Sequence, residues 1–311
     1  MPSAADGSHA VWASSFRERI ILRISVIIAT HARPDALERL LDSLAPQLAG
    51  AAGEPSREIL LAENGTPAPS ALSPSTPPLK HLHDARPGKC RIQNIAIGQA
   101  VGDIIVCLDD DLVAAPGYLD EVEKFFSKHP EFAAMKGRIL PAEDPAAKVG
   151  AEAAVWLDLP IADHGDRVIE VRGVLGANMA FRATALVRVG LFDERLGPGA
   201  AGHEEETEMS ARLARAGFRI GYAPRALVYH DVDPARADRA RFLRIARERG
   251  RCRMLHESHR TLSVLADNAV AALRVWIARI LGAGPRRLAR EERRLAVAQG
   301  MLDGLRPPRR D

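Results

Sequence analysis

"DIIVCLDDDL" (residues 103–112) decides how this chain is read. Five apolar residues, Ile104 to Leu108, run straight into Asp109, Asp110 and Asp111. A short run rich in β-branched residues, with no polar alternation, reads as a strand covered on both faces, as in a parallel sheet. Ligands of open α/β sheets bind beyond the carboxyl ends of such strands, where the three aspartates stand. Adjacent carboxylates repel, and desolvating them is costly unless a positive group neutralises them. A divalent cation does so economically: Mg²⁺ is usually held by one or two carboxylates together with substrate phosphates. Taken alone, the triplet reads equally well as a solvated acidic turn.

The pattern around it is strand, turn, helix, repeated. "RISVIIAT" (23–30) is a second buried run, followed by a helix that opens near Pro34 and carries Leu37, Leu40, Leu41 and Leu44 at helical spacing. "EILLAENG" (58–65) is a third; a short strand and a turn are expected within "KHLHDARPGK" (80–89), with a helix over Ile92–Ala100. Residues 66–78 read as a Pro- and Ser-rich loop. After the aspartates a helix is expected over Tyr118–Lys128, then a strand at "EFAAMKGRIL" and a Gly-rich loop before "EEETEMSARLARAG", a helix with acidic residues in its first turn. Alternation of this kind predicts an α/β fold with a mostly parallel central sheet flanked by helices.

Charge divides the 311 residues unequally. Residues 1–234 hold 24 Lys and Arg against 32 Asp and Glu, whereas 235–311 hold 19 against 8, every base an arginine. The expected organisation is an extension (1–20), a catalytic domain (21–234) and a basic helical region (235–311). An acidic body excludes generic nucleic-acid binding. Three cysteines, Cys90, Cys107 and Cys252, are odd in number and lack metal-type spacing, which points to a reducing, cytoplasmic setting. No signal peptide is read in the first 20 residues, and no run approaches about 18 uncharged apolar residues.

The blocks "SVIIATHARPDALERLLDSL", "EILLAENGT", "NIAIGQAVGDIIVCLDDDL", "GVLGANMAFRATALVRVGLFDERLG" and "EEETEMSARLARAGFRIGYAPRALVYH" follow the order and spacing of the family 2 glycosyltransferases. Over residues 23–231 the chain resembles that family, whose fold is GT-A. The resemblance implies an inverting transfer of a sugar from a nucleotide-sugar donor to a hydroxyl of a glycan or lipid-linked acceptor. It makes the triplet the DxD motif, with Asp109, Asp111 and His230 around Mg²⁺ or Mn²⁺ at the donor diphosphate. Asp110 then serves the sugar or the fold. A metal there stabilises the departing diphosphate.

For the base, the resemblance points to an acidic pair opening a helix, here Glu205 and Glu206, with Glu206 where the family usually has Asp. The extra methylene moves the carboxylate by roughly 1.5 Å, so its surroundings must differ too. Thr30, Arg33 and Glu63 fall at nucleotide-binding positions. Lys89 or Arg91 would supply a cation to the diphosphate in place of an arginine that the family often has where this chain has Gln93. Asn178 and Trp156 are the acceptor-side candidates; a turn asparagine and a half-buried core tryptophan are the plainer readings.

Two other functions fit parts of the sequence. A sugar-phosphate nucleotidyltransferase would make the nucleotide sugar itself, but the "THARPD" turn lacks the glycines that cradle a triphosphate. A non-catalytic nucleotide-sugar-binding protein would accommodate Glu at both the base and nucleobase positions. The Arg-rich tail, with Trp276 between Arg274 and Arg279, either touches the membrane peripherally through 264–294, pairs in a homodimer, or folds back on the body.

Overall fold

The computed structural model describes residues 22–48, 57–65 and 79–305. The extension 1–20 and the loop 66–78 lie outside the described residues. Strand β1 (Ile24–Thr30) is buried along its whole length because β2 (Arg57–Asn64) and β4 (Ile104–Asp109) flank it in parallel, and helices cover both faces. This is the environment that an unbroken β-branched run requires. β3 (Leu79–Asp84) extends the parallel set on the far side of β2.

Helix α1 (Pro34–Leu44) buries Leu37, Leu40, Leu41 and Leu44 under one face of the sheet. α2 (Lys89–Ile97) buries Cys90, Ile92 and Ala96 on the other. It starts three residues earlier than the apolar pattern implies, and this places Lys89 in its first turn. α3 (Tyr118–Lys128) matches its expected span.

Beyond β4 the sheet becomes mixed. β8 (Asn178–Arg182) inserts antiparallel between β4 and β6 (Phe132–Pro141), β6 runs parallel to β9 (Arg219–His230), and the short β5 (Leu112–Ala114) and β7 (Ile169–Val171) pair antiparallel with opposite ends of β9. The order is β3-β2-β1-β4-β8-β6-β9-β5. The expected parallel character therefore holds for the first half, where helical crossovers link the strands.

The short α4 (Pro145–Val149) and α5 (Ala151–Ala154) lie between β6 and β7; α6 (Ala183–Val189) leads into the Gly-rich loop, and α7 (Glu205–Arg215) follows it. Three helices complete the described chain: α8 (Arg239–His256), α9 (Thr261–Ile280) and α10 (Pro285–Gly304). α8 and α10 meet backbone to backbone. A Cβ on Gly250 would lie 2.0 Å from the Val297 carbonyl oxygen, and one on Gly300 would lie 1.9 Å from that of Arg247. Only hydrogen fits there.

α9 differs from its neighbours in leaving Leu262, Leu273, Trp276 and Ile280 exposed. By length and hydropathy it is also apolar enough to cross a membrane, with 22% of the apolar window buried. It still holds no run of about 18 uncharged apolar residues. Asp267, Arg274 and Arg279 break the apolar run in sequence, yet the average over the helix stays high.

Candidate active site

The acidic turn sits where β4 ends and the chain bends into β5. Register fixes its neighbours. Ala29 pairs with Asp109, so Thr30 and Arg33 lie beside the turn, and Leu112 pairs with His230, so Asp111 meets the end of β9. Thr30 Oγ1 donates to Asp110 Oδ2 at 2.8 Å, and Arg33 reaches Asp110 at 3.0 Å and Asp111 at 3.2 Å. Arg236, just after β9, donates to Asp111 Oδ2 at 2.8 Å. Burial alone would raise the Asp111 pKa, but His230, Arg236 and Arg33 outweigh it and hold the carboxyl below its usual range. For Asp110 burial dominates and the pKa is raised despite Arg33.

The expected metal ligands are only partly brought together. His230 Nε2 lies 3.3 Å from Asp111 Oδ1, whereas Asp109 turns to Lys89, whose Nζ is 2.5 Å from Asp109 Oδ1. β4 ends at Asp109 and the chain bends through Asp110 and Asp111, so the strand's alternation does not carry over to Asp111, which meets the end of β9 instead. Among the described residues no three His, Cys, Asp or Glu side chains form a metal cage. The remaining pair still suits a hard cation. His230 Nδ1 is 2.8 Å from the Asp231 carbonyl, so it carries the hydrogen and directs Nε2 at Asp111. One imidazole and one carboxylate, completed by phosphate oxygens, is a donor set that Mg²⁺ or Mn²⁺ accepts.

Lys89 joins this turn to α7. Its Nζ lies 3.8 Å from Glu205 Oε1, and although burial pulls its pKa down, Asp109 and Glu205 raise it above the ordinary lysine value. Gly199 makes the placement feasible. Its φ is +82°, and a Cβ there would meet the Gly88 nitrogen at 2.6 Å, so the Gly-rich loop presses against the start of α2 and the Pro198 carbonyl accepts from the Lys89 N–H. Burial, then Glu206, push the Glu205 carboxyl up to about 8 against the pull of Lys89. Glu206 lines the cleft, and its carboxylate makes no hydrogen bond or ion pair among the described residues. Among the described residues, those with positive φ other than glycine are Ala32 (53°) and Glu204 (78°), in the turn after β1 and at the N-cap of α7. Backbone strain of this kind concentrates at functional sites.

These groups border one cleft of about 1090 Å³. Its floor is the acidic turn, Lys89 and Glu204 to Glu206; another wall comes from Asp158 to Ile161 and from α8 and α10. The arginines of that wall escaped the sequence reading. Their signal was present, since Arg241, Arg249 and Arg253 repeat at multiples of four and share a helix face, but what that face meets depends on how α8 docks.

Other expected site residues lie elsewhere. Asn178 is fully buried: it accepts from Tyr118 Oη at 2.7 Å and donates to the carbonyls of Arg138 and Ala226, so it bridges the irregular pairing of β6 with β9. Its amide has no hydrogen left for an acceptor sugar. Trp156 packs edge-on against Phe242 under the Arg239 guanidinium, outside the cleft lining. Arg91 is drawn away to Asp84 and Glu194. Glu63, next to Thr30 in the sheet, pairs with His81 at 3.0 Å.

Two solved structures share this architecture. The mannosyltransferase PcManGT from Pyrobaculum calidifontis, in complex with GDP-Man and Mn²⁺, superimposes with a TM-score of 0.60 at 18% identity, covering 91% of this chain and 87% of that one. GalNAc-T7 with UDP, GalNAc and Mn²⁺ gives 0.52 at 16% identity over 72% of this chain and 47% of that one. The class is therefore a GT-A fold. Residues 25–173 match the profile of glycosyl transferase family 2, and residues 104–276, more than half of the chain, match that of glycosyl transferase family group 2. The chain belongs to the family 2 glycosyltransferases.

Among curated relatives, the glucosyl-dolichyl phosphate glucuronosyltransferase of Haloferax volcanii is 24% identical over 159 residues, 49% of this chain and 50% of that protein. The pre-mycofactocin glycosyltransferase of Mycobacterium tuberculosis is 31% identical over 161 residues, 49% of this chain and 32% of that protein. The chain thus spans half or less of the length of these relatives.

Proposed function

We propose that this chain transfers a glycosyl group, with inversion, from a nucleoside-diphosphate sugar to an acceptor hydroxyl, with Glu206 as general base. The observation that carries the reading is an unpartnered Glu206 carboxylate in the same cleft as a buried, cation-rich acidic turn. The donor's diphosphate lies at that turn, where Asp111 and His230 would hold Mg²⁺ or Mn²⁺. When bound, the metal supplies positive charge to the leaving diphosphate. Thr30 and Arg33 fix Asp110 and shape the donor end. Lys89 holds Asp109 in place and neutralises the phosphate side of the cleft. Glu206 accepts the proton of the acceptor hydroxyl as it attacks the anomeric carbon from the face opposite the diphosphate. Glu205, turned inward to Lys89, is a positioning residue rather than the base.

The metal-bearing, nucleotide-sugar-bound state of PcManGT supports the same donor chemistry here. The exposed apolar face of α9, flanked by Arg274, Arg286 and Arg287, supports peripheral contact with a membrane surface. The direct experiment is release of nucleoside diphosphate from GDP-mannose and UDP-sugars with and without Mn²⁺. Metal-dependent release that disappears in Glu206→Gln, with donor affinity kept within about threefold, is the expected result. Full turnover by Glu206→Gln would move the base elsewhere.

A further inference from the structure

The arginine wall is more cationic than its own carboxylates can balance. Arg241, Arg249 and Arg253 on α8 and Arg290, Arg293 and Arg294 on α10 all line the cleft. Arg249 and Arg293 share Asp158, at 2.9 and 3.7 Å, Arg253 reaches Glu204 at 3.1 Å, and Arg294 pairs with Glu291 at 2.8 Å. Arg241 and Arg290 make no side-chain hydrogen bond or ion pair among the described residues. Six guanidinium groups therefore face three carboxylates. The crowding is felt at Arg293, whose pKa is lowered first by burial and then by Arg249 and Arg253. Like charges are held this close by the fixed crossing of α8 and α10, where Gly250 and Gly300 leave no room for relaxation.

We infer that this wall binds a phosphate group carried by the acceptor. Several planar guanidinium forks converging from two helices suit a tetrahedral dianion, which they engage with paired, charge-assisted hydrogen bonds. The wall adjoins Glu204, two residues from Glu206, so a phosphate seated there would be anchored beside the proposed base. The donor diphosphate has separate cationic partners in Lys89, Arg33 and the Asp111–His230 pair. The inference takes the word acceptor from the glycosyl-transfer reading; the anion site itself stands on the arginines.

The test is calorimetric titration of the full chain, saturated with nucleoside diphosphate and Mn²⁺, using inorganic phosphate, farnesyl phosphate and farnesol. Phosphate probes should bind to the nucleotide-loaded protein and farnesol should bind at least tenfold more weakly than farnesyl phosphate. Farnesyl phosphate tighter than inorganic phosphate would assign a lipid-borne phosphate; equal affinity would assign a soluble one. Arg290→Ala with Arg293→Ala should weaken the phosphate probes at least tenfold and nucleotide binding less than twofold. Should Arg293→Ala fail to fold, Arg241→Ala with Arg290→Ala decides the matter, since neither side chain has a partner to lose. Displacement of phosphate by the nucleotide, or equal weakening of both, assigns the wall to the donor and overturns the inference. So does absence of phosphate binding. Failure of the glycosyl-transfer reading shows differently, as absent nucleotide binding.

Discussion

Lys89 Nζ stands 2.5 Å from Asp109 Oδ1 and joins the end of β4 to the first turn of α7 through Glu205. Lys89→Met leaves two carboxylates facing each other without a cation. Breaking a buried pair from one side costs about 3–5 kcal/mol, so chemical denaturation should show a loss of that order at pH 8. A melting curve like the parent's would mean that water neutralises the pair.

Glu205 gives a pH signature. Its folded pKa, about 8, exceeds the ordinary glutamate value, so the folded state binds the proton more tightly. Stability is then undiminished below the unfolded pKa and falls as pH rises through the window up to about 8. Glu205→Gln should match the parent near pH 4.5 and exceed it by a few kcal/mol at pH 8, as read by urea titration at both values. An unchanging difference across the window would show that Lys89 fully compensates the charge.

Asp111 and His230 are assigned to the divalent cation. Asp111→Asn should abolish the Mn²⁺-dependent gain in nucleoside-diphosphate affinity, a loss of about 10- to 100-fold, while binding without metal changes little. Retained metal dependence in calorimetry would exclude this carboxylate as a ligand.

The α8–α10 crossing predicts a cavity-free site intolerant of a single methyl. Gly300→Ala, whose Cβ would meet the Arg247 carbonyl, should destabilise the chain by about 1–3 kcal/mol. Gly284, the N-cap of α10 with open space around it, should lose less, about 0.5 kcal/mol, because alanine there is only a poorer cap. Thermal melts of the two variants make the comparison.

Trp276 and Ile280 are 60% and 63% exposed on α9. Trp276→Glu with Ile280→Glu should leave the melting temperature within a degree or two, because surface changes usually stay within about 0.5 kcal/mol. Flotation with vesicles containing anionic lipid should fall at least tenfold. Equal flotation of parent and variant would remove α9 as the contact.

The sequence by itself determined the parallel half of the sheet, the span of α3, the acidic first turn of α7 and the family. Each is written in local periodicity or in an ordered set of short blocks: Ile24–Thr30 can be buried on both faces only between two strands, whatever the rest of the chain does. The tertiary structure decided which side chains share the cleft. Asp109 went to Lys89 rather than to Asp111 because α2 begins three residues early and the Gly-rich loop presses on its start. Asn178 was consumed by the irregular β6–β9 pairing, which depends on carbonyls about 40 to 48 residues away. The arginines of α8 and α10 became a cleft wall through a helix crossing whose fit rests on two glycines far apart in sequence. Periodicity shows which face of an element is apolar; it carries no information on which distant element will cover that face, because that choice is made by packing between surfaces that the chain brings together only when folded.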